Sequence, residues 1–393
     1  MKHEELKKLD RQSILGTYAR SDVSIQRGKG AVCWSEEGKR YVDFTAGIGV
    51  NALGYCDPQW VEAVAKQAAT LQHASNLYYT EPCALLAEKL TAKTGLRKVF
   101  FGNSGAEANE GAIKAARKYG HEKYGVERFE IISLENSFHG RTMATVSATG
   151  QDSFHRYFDP FLDGFRHVPA NDIEKLRAAV SDRTCAIMAE MVQGEGGVIP
   201  LSAPFVQEIE RLCAEKDVLF IVDEVQTGIG RTGKFFAYEH FGVKPDIVTA
   251  AKGLGSGLPI GAIIFGEKCE TVLAAGDHGS TFGGNPVVCA GGLVVMERID
   301  EVFLEAVRGK AAYITEQLRK MEGVSDVGGL GLMLGVSLAE GKDAKAVVAA
   351  CAEKGALFLT AKEKVRLLPP LVIGKAEIDE GLAILAETLA TFE

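Results

Sequence analysis

Between about residues 60 and 275 the chain alternates helix-length stretches with short apolar runs rich in β-branched and aromatic residues. The runs include Val99-Phe100-Phe101, Ile131-Ile132, Ala186-Ile187-Met188, Leu219-Phe220-Ile221-Val222, Ile247-Val248 and Ala262-Ile263-Ile264-Phe265. Continuous apolar runs of this length, separated by helix-length segments, predict buried strands of a largely parallel sheet wrapped by helices. Polar and glycine clusters follow several runs directly. In such sheets ligands sit outside the carboxyl ends of the strands.

The two ends follow a different pattern. Val23-Ser24-Ile25, Ala31-Val32-Cys33-Trp34 and Arg40-Tyr41-Val42-Asp43-Phe44 look like short strands, and residues 287–321 look long and helical. A glycine-rich break at Gly328-Gly329-Leu330-Gly331 follows, then a strand over Leu332–Leu338, a helix, and a strand over Lys364–Leu368. The expected architecture is α/β. A large domain (59–286) holds the mostly parallel sheet, and residues 1–58 and 287–393 together build a smaller α/β domain.

Composition narrows the class. Of 393 residues, 46% are hydrophobic and 24% charged, an ordinary globular balance. A formal net charge of -8 argues against nucleic acid or an anionic membrane as partner. No apolar run is long enough to span a bilayer. The charged start, MKHEELKKLDRQ, has no apolar core of the secretory kind, so a cytoplasmic location is expected. The 8 cysteines are scattered without a C-x-x-C pair and resemble neither a zinc site nor a disulfide framework. No metal is expected.

Gly228-Ile229-Gly230-Arg231-Thr232-Gly233 matches G-x-G-x-x-G, and Lys234 makes it resemble a phosphate-binding loop. Context rejects both. Asp223–Thr227 separate the glycines from the preceding strand, and Phe235 stands where a magnesium-binding Ser or Thr is required.

The chemistry gathers elsewhere. Asp223 ends the run Leu219–Val222, and Lys252 ends Asp246–Ala251, followed by Gly253, Gly255 and Gly257. Taken alone, this reads better as a buried ion pair. Yet an acid and a lysine at strand ends are what pyridoxal phosphate requires: an amine for its aldehyde and a carboxylate for its ring nitrogen. Asn103-Ser104-Gly105-Ala106 opens the helix after Val99–Phe101, and free amides there make an anion seat. Phe138, in Ser137-Phe138-His139-Gly140-Arg141, sits in a turn where it can stack on a ring. Arg141 suits a substrate carboxylate, Ser280-Thr281 offers two hydroxyls, and His139 has no assigned task.

These residues lie in stretches that resemble the class III pyridoxal-phosphate aminotransferases. The stretches are FGNSGAEANEGAIKAAR, SFHGRT, QGEGG, DEVQTGIGRTGKFFAYEHFGVKPDI, AKGLGSGLPIGA and STFGGNP, in family order over nearly the whole chain. The resemblance implies fold type I and a homodimer with active sites at the interface. It implies Lys252 as the Schiff-base lysine, Asp223 at the pyridine nitrogen and Gln226 at the phenolic oxygen, with Glu224 and Val225 in the same cofactor-binding stretch. Ser104, Gly105 and Ala106 would hold the phosphate with Thr281 of the other subunit, and Phe138 would stack on the ring. Arg141 and Ser280 would contact an acylated amino-acid substrate, and Tyr18 would line the entrance. Arg366 would bind the α-carboxylate of glutamate or 2-oxoglutarate, with Glu195 pairing it when the other donor is bound.

The chain departs from the family where Met191-Val192 replaces Pro-Ile, where Tyr55 and Asp57 replace histidines, and where Ala106 replaces threonine. The implied reaction moves the terminal amine of N-acetylornithine to 2-oxoglutarate, giving glutamate, as in arginine biosynthesis. Succinylornithine, ornithine, 4-aminobutyrate and an acylated lysine precursor remain open as alternative donors.

Overall fold

A computed structural model of the chain describes residues 1–392. Its central sheet has seven strands in the spatial order Lys98–Gly102, Gly261–Phe265, Ile247–Ala250, Leu219–Asp223, Thr184–Ala189, Glu130–Leu134, Phe165–Val168. All run parallel except Gly261–Phe265, which is antiparallel to both neighbours. Every apolar run named above lies in this sheet, so the α/β class and its largely parallel sheet are borne out. The seventh strand, Phe165-Arg166-His167-Val168, has no continuous apolar run because it lies at the sheet edge with only Val168 buried.

Each inner strand feeds two cores. Leu219, Ile221, Ile247 and Ile263 pack against Ala108, Ala112, Ile113 and Ala116 of the helix Gly105–Tyr124. Phe220, Val222, Val248 and Ile264 face the opposite side, toward Phe205, Ile209 and Leu212 of the helix Ala203–Lys216. Successive side chains point to opposite faces, so a strand covered on both sides has no polar alternation. Burying each of these aliphatic side chains is worth about 1.5–3 kcal/mol. The result is a rigid sheet whose carboxyl edge holds Asp223 and the residues after Ala250.

The two ends of the chain meet in a second sheet, Arg27–Lys29, Val32–Trp34, Arg40–Asp43 and Ala356–Leu357, where Ala356 pairs with Val42. A third sheet contains Val324–Leu330, Met333–Leu338, Lys364–Leu367 and Leu359–Ala361. Two expectations change here. Val23-Ser24-Ile25 is not a strand: pairing begins at Arg27, opposite Trp34. The glycine-rich break is instead the end of the strand Val324–Leu330 and its hairpin turn. At Gly329 (φ +121°) a Cβ would lie 2.0 Å from the Met333 carbonyl oxygen, so glycine permits the close approach.

The helical stretch after residue 286 is two helices, Pro286–Arg298 and Glu301–Arg319. The break falls at Asp300, whose side chain accepts from the Phe303 amide at 2.8 Å and caps the second helix. The first packs on Pro58–Thr70 and Glu81–Thr94. No helix among the described residues is long and apolar enough to cross a membrane.

Candidate active site

A cavity of about 460 Å³ opens at the carboxyl edge of the central sheet. Asp223 forms its floor. Asp223 is 3% exposed, and its carboxylate is held from three directions. The Asn109 amide donates to Oδ2 at 2.7 Å, His139 Nδ1 lies 2.8 Å from the same oxygen, and the Val225 amide donates to Oδ1 at 3.0 Å. Asn109 is itself fixed: its amide also donates to the His139 carbonyl at 2.7 Å, and its Oδ1 accepts from the Thr249 hydroxyl at 2.7 Å. His139 is fully enclosed. Burial disfavours its charged form, but the hydrogen bond and charge of Asp223, with Glu190 behind, prevail and raise its pKa. The imidazolium favoured there sets a positive charge against the Asp223 carboxylate.

Lys252 follows the strand Ile247–Ala250 on the adjacent wall, with φ +44°. A non-glycine residue in the left-handed region costs on the order of 1 kcal/mol and is often found at functional sites. Burial pushes the Lys252 pKa down, against the opposing pull of Glu195 and Asp223. The amine is thereby drawn toward the neutral, nucleophilic form.

Ser104, Gly105 and Ala106 line the opposite end of the cavity, at the start of the helix Gly105–Tyr124. The Ser104 hydroxyl accepts from the Glu107 amide at 3.2 Å, while helix geometry leaves the Gly105 and Ala106 amides without intrahelical acceptors. The positive helix end makes this an anion seat. A Cβ on Gly105 would lie 2.6 Å from Val225 Cγ1, so only glycine lets the cradle approach the floor. Phe138 and Arg141 form the outer wall, and both rings of Phe138 and Phe154 lie under the Arg141 guanidinium, at 5.6 and 4.0 Å from their centroids.

Glu195 and Arg366 meet beside Gln226. Arg366 Nη1 lies 2.6 Å from Glu195 Oε1, and Gln226 Nε2 is 3.4 Å from the same oxygen. Burial alone would raise the Glu195 pKa, but Arg366, Lys252 and Gln226 lower it, which favours its carboxylate form. Arg366 is 3% exposed, and its Nε has no hydrogen-bond partner among the described residues. The same holds for Gln226 Oε1.

The structure therefore brings Ser104, Gly105, Ala106, Phe138, Arg141, Asp223, Val225, Gln226 and Lys252 into one cavity, with Glu195 and Arg366 alongside. Glu224 points elsewhere: its carboxylate accepts from the Thr227 hydroxyl at 2.5 Å and the Tyr238 amide at 2.9 Å, and burial pushes its pKa up to about 7. Ser280 lies near the anion seat through Asn103, whose amide donates to its hydroxyl at 3.1 Å, and Thr281 is exposed. Tyr18 is 73% exposed in a groove with the helix His3–Ser13, away from the cavity of its own chain. A larger cavity, about 710 Å³, is lined by residues 151–153, Phe161, Leu162 and Lys362 and touches neither Lys252 nor Asp223.

Asn109, Thr249 and Glu190 carry no assignment from the sequence. The signal for Asn109 was present: it is a polar residue on the face of its helix that also carries Ala112, Ile113 and Ala116. Glu190 directly follows a buried strand, Thr184–Ala189, much as Asp223 ends Leu219–Asp223.

These residues fit pyridoxal phosphate. The unpartnered Gln226 Oε1 and the close-approach glycine at the Gly105 helix start share one cavity with a lysine and an acid, the donor set that a phenolic oxygen, a phosphate, an aldehyde and a ring nitrogen call for. A lysine, an acid and an anion seat so arranged define a pyridoxal-phosphate enzyme.

Comparison with known proteins narrows the class. A family model described as Aminotransferase class-III matches residues 17–389. Over 391 residues the chain is 51% identical to an acetylornithine aminotransferase of Haemophilus ducreyi, covering 99% of this chain and 100% of that protein. An ornithine aminotransferase structure from Toxoplasma gondii, with pyridoxal phosphate at partial occupancy, superposes with a TM-score of 0.95 at 31% identity and covers 100% of this chain and 95% of that one. An N-acetylornithine aminotransferase structure from Stenotrophomonas maltophilia gives 0.85 at 34% identity over 98% of both chains. The chain belongs to the class-III aminotransferase family and is a pyridoxal-phosphate-dependent aminotransferase.

Proposed function

We propose that this enzyme moves the terminal amine of N-acetylornithine to 2-oxoglutarate, releasing N-acetylglutamate semialdehyde and glutamate, a step of arginine biosynthesis. The observation that carries the reading is the Glu195–Arg366 pair beside Lys252. One pocket has to accept a terminal amine on an acylated donor and then the α-amine of glutamate. With the pair closed, the Arg366 charge is masked while the acylated donor is bound. With Glu195 swung aside, the Arg366 guanidinium, whose Nε has no partner among the described residues, is free to fork onto an α-carboxylate.

Pyridoxal phosphate, when bound, supplies the aldehyde that receives the amine and the ring that accepts electrons. The phosphate is assigned to the Ser104–Ala106 cradle, with Thr281 of a second copy. Phe138 is assigned to the ring face and Gln226 to the phenolic oxygen. Asp223 holds the ring-nitrogen proton. Lys252, as a free amine, takes a proton from the substrate carbon and returns it on the other side of the transfer. Arg141 and Ser280 are assigned to the acylated end of the donor.

Further parts of the proposal are a homodimer, supported by the exposure of Thr281, and a smaller domain formed by residues 1–58 and 287–393, supported by the pairing of Ala356 with Val42. Eight free cysteines suit a reducing, cytoplasmic setting. No nucleic-acid or membrane partner belongs to the proposal. The test is a set of half-reactions with N-acetylornithine, succinylornithine, ornithine, 4-aminobutyrate and an acylated lysine. N-acetylornithine is expected to react with the highest kcat/KM, and equal or better turnover of 4-aminobutyrate would refute the choice of donor.

A further inference from the structure

Glu190 is a buried acid that the reaction as described does not use. It is 5% exposed and lines the cavity together with His139 and Gln226. Its two carboxylate oxygens serve two different segments. Oε1 accepts from the Phe138 amide at 2.9 Å, and Oε2 accepts from the Gly194 amide at 3.2 Å. Phe138 is the aromatic wall of the cofactor site. Gly194 is the residue before Glu195, the partner of Arg366.

From this juxtaposition we infer that Glu190 is a positioning residue that ties the ring-facing turn to the Glu195 segment, so that both are set by one carboxylate. The inference rests on the two-substrate reading given above. A purely structural acceptor does not require a carboxylate here. A neutral side chain accepts one amide proton at far lower desolvation cost than an acid buried without a bonded cation. What a carboxylate adds is two equivalent acceptors on one rigid plane, spanning two loops. Burial shows its cost: the Glu190 pKa is pushed up to about 7, with Asp223 adding to the rise and His139 and the two amides opposing it. A carboxyl that keeps both amides in spite of this cost couples the two loops: displacing Gly194 loosens the hold on Phe138, and the reverse.

The test uses the cofactor-loaded enzyme and two substitutions. Glu190→Gln is isosteric but sets an NH2 group against one of the two amides. Glu190→Asp keeps the charge but is one methylene too short to reach both. In each, kcat/KM of the glutamate half-reaction is expected to fall on the order of tenfold or more, the scale of a lost hydrogen bond to a charged group. The N-acetylornithine half-reaction is expected to fall less, and the absorption band of the bound cofactor to shift as Phe138 moves. Wild-type values in Glu190→Asp would show that charge alone matters and overturn the inference. An equal fall in both half-reactions with an unchanged band would reduce Glu190 to general stability and also overturn it.

Arg366→Ala serves as the control for the underlying reading. If it leaves the glutamate half-reaction unchanged, that reading fails. If it acts while both Glu190 variants behave as wild type, only the present inference fails. Hydrogen exchange on the wild-type enzyme is independent of how the variants fold. The Phe138 and Gly194 amides are expected to be protected together, and free exchange at either would overturn the coupling.

Discussion

The two sides of the cavity are built on opposite principles. On the floor, Asp223 receives Asn109, His139 and the Val225 amide, and Asn109 is pinned in turn by Thr249. On the substrate side, Glu195 and Arg366 hold each other through one short contact, while Arg366 Nε and Gln226 Oε1 go without partners. His139 Nε2 on the floor also lacks a partner among the described residues, but the Asp223 carboxylate itself is held by three groups and has one low-energy arrangement, whereas an ion pair flanked by unspent donors and acceptors can take a second when a ligand supplies partners. In the proposed reaction the floor does the same work in both half-reactions and would gain from rigidity. The corner would meet two differently charged substrates in turn and would gain from being able to rearrange. The turn that carries Phe138 and the segment before Glu195 meet at the Glu190 carboxylate, which accepts from the Phe138 and Gly194 amides.

The largest effect is expected at Lys252, which the proposed reaction uses in both half-reactions. Lys252→Ala should cut turnover by on the order of 10²–10⁴-fold or more, the contribution of a positioned proton-transfer group. Borohydride treatment should then no longer fix the cofactor to the chain, as read by mass. Next is Arg366→Ala. Loss of a buried, charge-assisted fork should raise KM for glutamate and 2-oxoglutarate by roughly 10–100-fold, with a much smaller change for N-acetylornithine. A uniform rise for all three would erase the contrast between floor and corner.

Asn109→Ala sharpens the other side. It should lower kcat in both half-reactions equally, on the order of tenfold, because it frees Asp223 rather than any substrate contact. Thr249→Val, one bond further out, should give the same pattern more weakly.

The smallest effect concerns stability, at Glu224. Its pKa in the fold is about 7 against an ordinary 4.5, so the fold binds its proton more tightly than the unfolded chain does. The stability this contributes is fully present below about pH 4.5 and is lost as pH rises through about 7, by a few kcal/mol at most. Glu224→Gln should therefore gain in thermal stability relative to wild type as the pH is raised from 5 to 8. Parallel melting curves for the two proteins across that range would contradict this.

What was legible in the sequence divides along the same line. Strand-end residues such as Asp223 and Lys252 could be placed because a buried parallel strand needs a continuous apolar run, and its end is marked by the first polar residue. The edge strand Phe165–Val168 escaped because an edge is buried less and alternates. Asn109 and Thr249 escaped for a different reason. Each is one polar residue inside an apolar element, and its meaning depends on a partner about 110 or more positions away in sequence or on the neighbouring strand. The Glu195–Arg366 contact spans 171 positions, and only family resemblance pointed to it. Tyr18 shows the reverse case: resemblance assigned it to the entrance, and in its own chain it lies apart from the cavity.

The contrast between a fixed floor and a movable corner is tested most directly by rapid-mixing half-reactions of Glu195→Ala with N-acetylornithine and with glutamate. Removing the carboxylate that masks Arg366 should slow the N-acetylornithine half-reaction while sparing or accelerating the glutamate half-reaction, so that their ratio moves by tenfold or so, a shift of about 1.4 kcal/mol between them. Two half-reactions left equally unaffected would contradict the account.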